Sequence, residues 1–401
     1  MTDFITSLIH HPYKPPSGFA APQPGVFKAS TVFFPNVAAM REFDWKDKTA
    51  YTYGLHGTPT TYILEERLCT LEGGAQCLLV PSGLAAIATV SLALLKTGDE
   101  VLIPDNAYGP SKALAAGELI DWGITHRYFD PMSPADLATK ITPKTKLVWL
   151  EAAGSVTLEF PDLCEQVRIC KRAGVLCALD NTWGAGLAFK PFDLLPGAQP
   201  ALAVDISVHA LTKYPSGGGD VLMGSVITVD ERLHMVLKLC HMRMGIGVGA
   251  NDAETVLRSL PSMPLRYRAH DETTRVLAQW SAQRSEFAQV LHPALPNSPG
   301  HVHWQKLCDG GVGSAAGLFS VIFKPEFTQT QVDAFCNALK LFKIGYSWGG
   351  PISLVVPYEL STMRQHWPNY IRQGILVRFS IGLESAQDLQ ADLLQALSAL
   401  A

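Results

Sequence analysis

Gln76-Cys77-Leu78-Leu79-Val80-Pro81-Ser82-Gly83-Leu84, continued by an apolar run to Leu95, decides the fold. The first residues read as a buried strand, the Pro-Ser-Gly turn breaks it, and the run that follows is too short to span a bilayer and carries Thr89 and Ser91. It therefore reads as a buried helix, and the strand-turn-helix passage is the first half of a parallel βαβ unit. The alternation continues downstream. Candidate strands at 100–104, 124–129, 146–150 and 175–179 are separated by amphipathic helical stretches, which predicts a mostly parallel sheet covered on both faces. Two further strands, near 204–208 and 221–229, follow without a long helix between them, across the tight turn at Gly217-Gly218-Gly219. About seven strands are expected in all.

Outward from this region the character changes. Residues 1–57 hold Pro12, Pro15, Pro16, Pro22, Pro24 and Pro35 with little apolar periodicity, so an extended arm contacting a neighbouring subunit is expected. A large domain is predicted over 58–252 and a smaller C-terminal α/β domain over 253–401, which includes a proline-rich linker at 292–300. The chain's 401 residues, 47% hydrophobic and 17% charged, suffice for substantial cores without staples. With 32 basic against 36 acidic residues and no dense basic run, the composition argues against nucleic acid as a partner. No membrane segment or signal peptide is read, and a cytoplasmic location is expected. The eight cysteines are scattered without a CxxC pair and are expected as reduced core thiols.

Chemistry-bearing residues fall at predicted strand ends, where open α/β sheets place their ligands. Ser82-Gly83-Leu84 is either a plain structural turn or an anion cradle made of free N–H groups and a helix end. Asp180 ends the strand at 175–179 and is either a helix cap or a carboxylate awaiting a cation such as a protonated pyridine nitrogen. Lys213, in Ser207-Val208-His209-Ala210-Leu211-Thr212-Lys213-Tyr214, sits among apolar residues that lower an amine's pKa and free it to form an imine. Each feature alone is common; anion turn, then acid, then lysine in that chain order is far more specific.

With Tyr53-Gly54, Gly57-Thr58-Pro59-Thr60, Leu71-Glu72-Gly73-Gly74, Asp180-Asn181-Thr182-Trp183, Ala210-Leu211-Thr212-Lys213-Tyr214, Tyr346-Ser347-Trp348-Gly349-Gly350 and Arg378 ahead of Ile381-Gly382-Leu383-Glu384, the sequence resembles the Cys/Met metabolism family of pyridoxal-phosphate enzymes. The resemblance runs from about residue 50 to the C-terminus. Trp348 resembles the carbon–sulfur β-lyases in particular, since relatives acting at the γ carbon usually lack it. The family implies fold type I, the aspartate-aminotransferase-like architecture of PLP-dependent transferases. It also implies pyridoxal 5′-phosphate as cofactor; no metal is expected, because His301 and His303 have no Cys or carboxylate cluster beside them.

Carried over by position, the resemblance makes Lys213 the Schiff-base lysine and Asp180 the pyridine-nitrogen partner, with Tyr108 stacked on the ring as a second catalytic residue. Gly83, Leu84 and Thr212 would hold the phosphate, and Tyr53 would reach it from a neighbouring subunit. Arg378 would grip the α-carboxylate of an amino-acid substrate, Ser347 and Trp348 would flank it, Tyr346 would line the pocket, and His56 would face the substrate's distal end. The implied reaction is α,β-elimination of L-cystathionine to homocysteine, pyruvate and ammonia, in a homo-oligomer, dimer or tetramer, with shared sites.

Several positions depart from the family. Its usual Tyr-x-Arg motif has Leu55 in place of the arginine that neutralises the phosphate, and His56 stands where bacterial β-lyases often have a second arginine. Ala210 replaces a common phosphate-binding serine, and Met242 a common tyrosine; Arg243 is a candidate replacement cation. The rival readings are a γ-elimination or γ-replacement enzyme of the same family, a β-lyase on other cysteine conjugates, and a cofactor-binding protein that has lost catalysis. A nicotinamide dehydrogenase is excluded by the lack of GxGxxG after the first strand.

Overall fold

A computed structural model describes residues 4–400 apart from 14, 47, 49 and 366. Its large sheet has strands β1 (Gln76–Val80), β2 (Glu100–Pro104), β3 (Thr125–Phe129), β4 (Thr145–Glu151), β5 (Leu176–Asp180), β6 (Ile206–Ala210) and β7 (Gly224–Thr228), in the spatial order β1-β7-β6-β5-β4-β2-β3. Pairs among β2 to β6 are parallel, whereas β7 runs antiparallel to both β1 and β6. The link from β6 to β7 contains no helix, and without a crossover helix an antiparallel neighbour is the partner normally reached. Because β1 and β6 both oppose β7, they share a direction. The carboxyl ends of β1, β2, β4, β5 and β6 therefore lie along one edge.

Local sequence explains the elements. Ser82 is extended and its side chain accepts from Ala85 N–H, which caps the helix Gly83–Leu94 that packs on the sheet. Thr58 caps Pro59–Glu72 in a capping box, and Gly73 closes that helix in the left-handed conformation. The strand β6 begins and ends two residues later than the expected span 204–208, and β7 is shorter than the expected 221–229. Val204 N–H bonds to Pro191 O and Asp205 accepts from Cys177 N–H, while Thr212 engages Met223, so those flanks leave the ladder.

The second sheet joins β8 (Phe287–Leu291), β9 (Leu318–Phe323), β10 (Lys343–Ile344), β11 (Leu354–Tyr358) and β12 (Leu376–Ser380) in the order β10-β11-β12-β9-β8, antiparallel except for β10 with β11. Period-two alternation splits its faces. Phe319, Val321, Phe323, Val355, Val377 and Phe379 enter an apolar layer with Leu277, Phe335 and Leu393 of the covering helices. Each buried phenylalanine there contributes roughly 2–3 kcal/mol. Arg378, Tyr358 and Leu376 leave from the other face.

Two expectations need refinement. The N-terminal arm is not continuously extended: it carries the helices Phe4–Ile9 and Val37–Glu42, and Leu8 is fully buried in the chain's own core. Phe4 and Leu8 are one helical turn apart, an apolar spacing too short to stand out in a proline-rich stretch. Residue 253 falls inside the helix Ala250–Ser259, which packs on the helix Pro59–Glu72 of the large domain. No helix among the described residues is long and apolar enough to cross a membrane.

Candidate active site

Beyond the end of β6 the chain tightens into a turn that anchors Lys213 by its backbone: Lys213 N–H bonds to Ala210 O at 3.0 Å and Gly217 N–H to Lys213 O at 2.9 Å. Its neighbour Tyr214 is fully buried, accepts from Gly317 N–H at 2.7 Å, and meets Trp348 edge-on. From this fixed base Lys213 Nζ donates to Ser347 Oγ at 2.6 Å and lies 5.3 Å from the centre of the Trp348 ring. Ser347 adopts φ 97°, a conformation that a non-glycine residue holds only when its surroundings impose it. Gly349 follows at φ 80°, and a Cβ there would stand 3.0 Å from Tyr214 N. The Tyr-Ser-Trp-Gly-Gly segment is thus pressed directly onto the lysine turn.

Burial pulls the Lys213 ammonium down to about 8, helped by Arg378 and opposed by Asp180. An amine attacks a carbonyl only when unprotonated. The rate at which cofactor-free protein takes up pyridoxal phosphate should therefore rise about tenfold per pH unit below pH 8 and level off above it. Stopped-flow absorbance against pH measures this, and an inflection near the ordinary lysine value would contradict the assignment.

Asp180 ends β5, directly paired with Glu151 at the end of β4. Its Oδ1 accepts from Thr182 N–H at 3.0 Å and from Thr182 Oγ1 at 2.5 Å, and Thr182 Oγ1 accepts in turn from Ala210 N–H at 3.0 Å. Thr182 thus ties the acid to the strand that delivers Lys213. Burial raises Asp180 above its ordinary range, while the Thr182 bonds oppose the shift. Such a carboxylate is stabilised as an anion by a bound cation. Glu151 is pushed well above the carboxylate range by burial and by Asp180, and accepts from Tyr108 N–H at 2.9 Å. Thr182→Val should strand Ala210 N–H and destabilise cofactor-free protein by about 1–3 kcal/mol. Urea unfolding tests this, and an unchanged midpoint would refute it.

Neither Thr182 nor Glu151 was singled out from the sequence as a site residue. Glu151 carried a usable signal, because it closes a predicted apolar strand as Asp180 does. Thr182 did not, since a threonine after a strand is unremarkable until its hydroxyl is located.

Arg378 rises from β12 and is 7% exposed. Its Nη2 donates to Ser347 O at 3.3 Å, whereas its Nε–H is buried without a partner among the described residues. Burial lowers its pKa, and the nearby phenols of Tyr358, Tyr108 and Tyr346 counter this. A buried guanidinium with an unused N–H is an anion seat, and a carboxylate fits its fork. Tyr358 is a further residue the sequence reading missed.

The other expected site residues have their own settings. Gly83 abuts β6 so closely that a Cβ would come 2.6 Å from Ala210 Cβ, and the first-turn N–H groups of Gly83 and Leu84 have no intrahelical acceptor. This is a cradle for an anion at the same sheet edge. Thr212 Oγ1 donates to Met223 O and accepts from Met223 N–H, so one lone pair is left for a phosphate. Tyr53 and His56 belong to the arm. His56 bonds to Thr52 Oγ1 through Nδ1 at 2.9 Å and packs on Trp45, and burial followed by Lys238 lowers its pKa. Leu55 faces Gly247, and Arg243 is exposed at the end of its helix. His209 is paired through Nδ1 with Glu72 at 2.9 Å, both fully buried on the opposite face from Asp180, with Ser207 and Asn181 completing the Glu72 shell.

An amine with a depressed pKa, a buried carboxylate, a glycine-lined helix end and an orphaned guanidinium together suit a phosphorylated pyridine aldehyde and an amino acid bound to it. The same grouping is found in known proteins. Over residues 5–398 the chain matches the family described as Cys/Met metabolism PLP-dependent enzyme. It is 38% identical to a cystathionine beta-lyase of Bordetella avium, with 98% of this chain and 97% of that protein aligned. It is 36% identical to the cystathionine beta-lyase MetC of Escherichia coli, over 85% and 84% of the two chains. Cystathionine gamma synthase of Xanthomonas oryzae pv. oryzae, solved with cystathionine, superposes with a TM-score of 0.87 at 28% identity, covering 100% of this chain and 99% of that one. A lysine, an acid and a helix end that the fold brings to one sheet edge thus have their explanation in descent: the chain belongs to the Cys/Met metabolism family of enzymes that depend on pyridoxal phosphate.

Proposed function

We propose that this chain is a carbon–sulfur β-lyase that converts L-cystathionine to homocysteine, pyruvate and ammonia. The observation that carries this reading is the Lys213 amine, pulled down to about 8 and held 2.6 Å from Ser347 Oγ beside the Trp348 ring. The lyase names of its relatives in Bordetella avium and Escherichia coli support the substrate.

When bound, pyridoxal phosphate supplies an electron-poor ring that accepts the negative charge left at Cα as its proton departs. The chain's residues do the rest. Asp180, fixed by Thr182, would balance a positive pyridine nitrogen, and Tyr108, held at its backbone by Glu151, would cover the ring. Arg378 fixes the α-carboxylate through its free Nε–H, which aligns the Cα proton toward Lys213 Nζ. Lys213 would hold the cofactor through its amine and would serve as the general base that takes the Cα proton, with Ser347 Oγ restraining that amine. Gly83, Leu84 and Thr212 would hold the phosphate.

Tyr53 and His56 act in this proposal across a subunit boundary, in a cytoplasmic dimer or tetramer. Exposed apolar side chains on the arm, with Phe33 at 92% and Phe19 at 66%, support a covering partner. The test is product identity. Purified protein given L-cystathionine should release pyruvate and free thiol in equal amounts; 2-oxobutyrate would instead place cleavage at the γ carbon.

A further inference from the structure

Tyr358 is the last residue of β11 and stands diagonally across the ladder from Arg378: Val356 pairs with Arg378 and Tyr358 with Leu376, so both side chains leave the same sheet face. The guanidinium carbon lies 5.3 Å from the centre of the Tyr358 ring, and the phenol counters the lowering of the guanidinium pKa by burial. The ring is itself seated against the cluster of Val156, Ile322, Leu360, Ile371 and Leu376. Val156 follows β4 of the large sheet and Ile322 belongs to β9 of the small one, so the phenol is fixed with respect to both. Arg378 keeps one long contact to Ser347 O at 3.3 Å and an unpartnered Nε–H. With that contact alone, the planar guanidinium would be free to turn about its last bond and lose the alignment of its fork.

We propose that Tyr358 is a positioning residue for substrate recognition, whose phenol holds the Arg378 guanidinium in the rotation that presents its Nε edge to the α-carboxylate. This rests on the assignment of Arg378 as the carboxylate seat. The phenol does not touch the reacting atoms. Its loss acts on binding before it acts on the chemical step.

Tyr358→Phe keeps the ring over the guanidinium and removes only the oxygen. In the holoenzyme it should raise KM for L-cystathionine about 3- to 10-fold, with kcat held within about twofold. Glycine, which carries the amine and α-carboxylate without a leaving group, should perturb the visible band of the bound cofactor with a Kd weakened by the same factor. Unchanged KM and glycine Kd would overturn the proposal. So would a fall in kcat and Tm at constant KM, which marks a merely structural residue. Arg378→Lys separates the two assignments. If it raises KM while Tyr358→Phe does not, the Tyr358 proposal alone fails; if it leaves KM unchanged, the carboxylate seat is misplaced and both fail.

Discussion

Lys213→Ala should lower pyruvate formation from L-cystathionine by about 1,000-fold or more, because one substitution removes both the covalent anchor and the general base. The turn that carries the residue is built from backbone bonds and from Tyr214, whose buried ring and bond to Gly317 do not involve the lysine side chain. The variant should therefore fold, and removing a buried amine whose burial already penalises its charge should not lower stability at neutral pH. Near-UV circular dichroism of the variant separates loss of chemistry from loss of structure. Pyruvate release within tenfold of the parent would show that another group does this work.

Asp180→Asn should reduce turnover by about 100- to 1,000-fold while leaving the fold intact. The amide oxygen can still accept from Thr182 N–H and Oγ1, so the local geometry survives. What would disappear, on the proposed assignment, is the negative charge that keeps the pyridine nitrogen protonated and the ring electron-poor. Glu151 does not substitute for it: burial and Asp180 push it well above the ordinary carboxylate range, and it is already bonded to Tyr108 N–H. Pre-steady-state loss of the Cα proton, followed with Cα-deuterated substrate, is the direct readout. A full kinetic isotope effect with slowed turnover is expected, whereas unchanged turnover would remove Asp180 from the site.

The large sheet was legible because most of its strands carry apolar runs set off by glycine or proline, and β1 and β2 coincide with the predicted spans 76–80 and 100–104. Arg378, Ser347 and Lys213 lie far apart in the chain and were joined in the sequence only through family resemblance. The sheets bring them together physically. Less legible were residues whose role depends on direction: Thr182 acts through a hydroxyl aimed at Asp180, and Tyr358 through a diagonal across β11 and β12 that register alone determines. His209 shows the converse. It stands only four residues before Lys213, yet β6 sends it to the opposite face, where Glu72 pairs with its Nδ1.

Borohydride reduction followed by peptide mass spectrometry tests the central claim most directly, because it fixes the cofactor to whichever lysine carries it. The comparison is demanding. Lys190 is also buried and pulled down to about 8, but its Nζ is spent on Leu71 O at 2.6 Å and Gly186 O at 2.7 Å, beneath the Phe4 ring. A pyridoxyl group found on the peptide containing Lys213 is the predicted result. The same group on Lys190, or on no lysine in protein saturated with pyridoxal phosphate, would contradict the account.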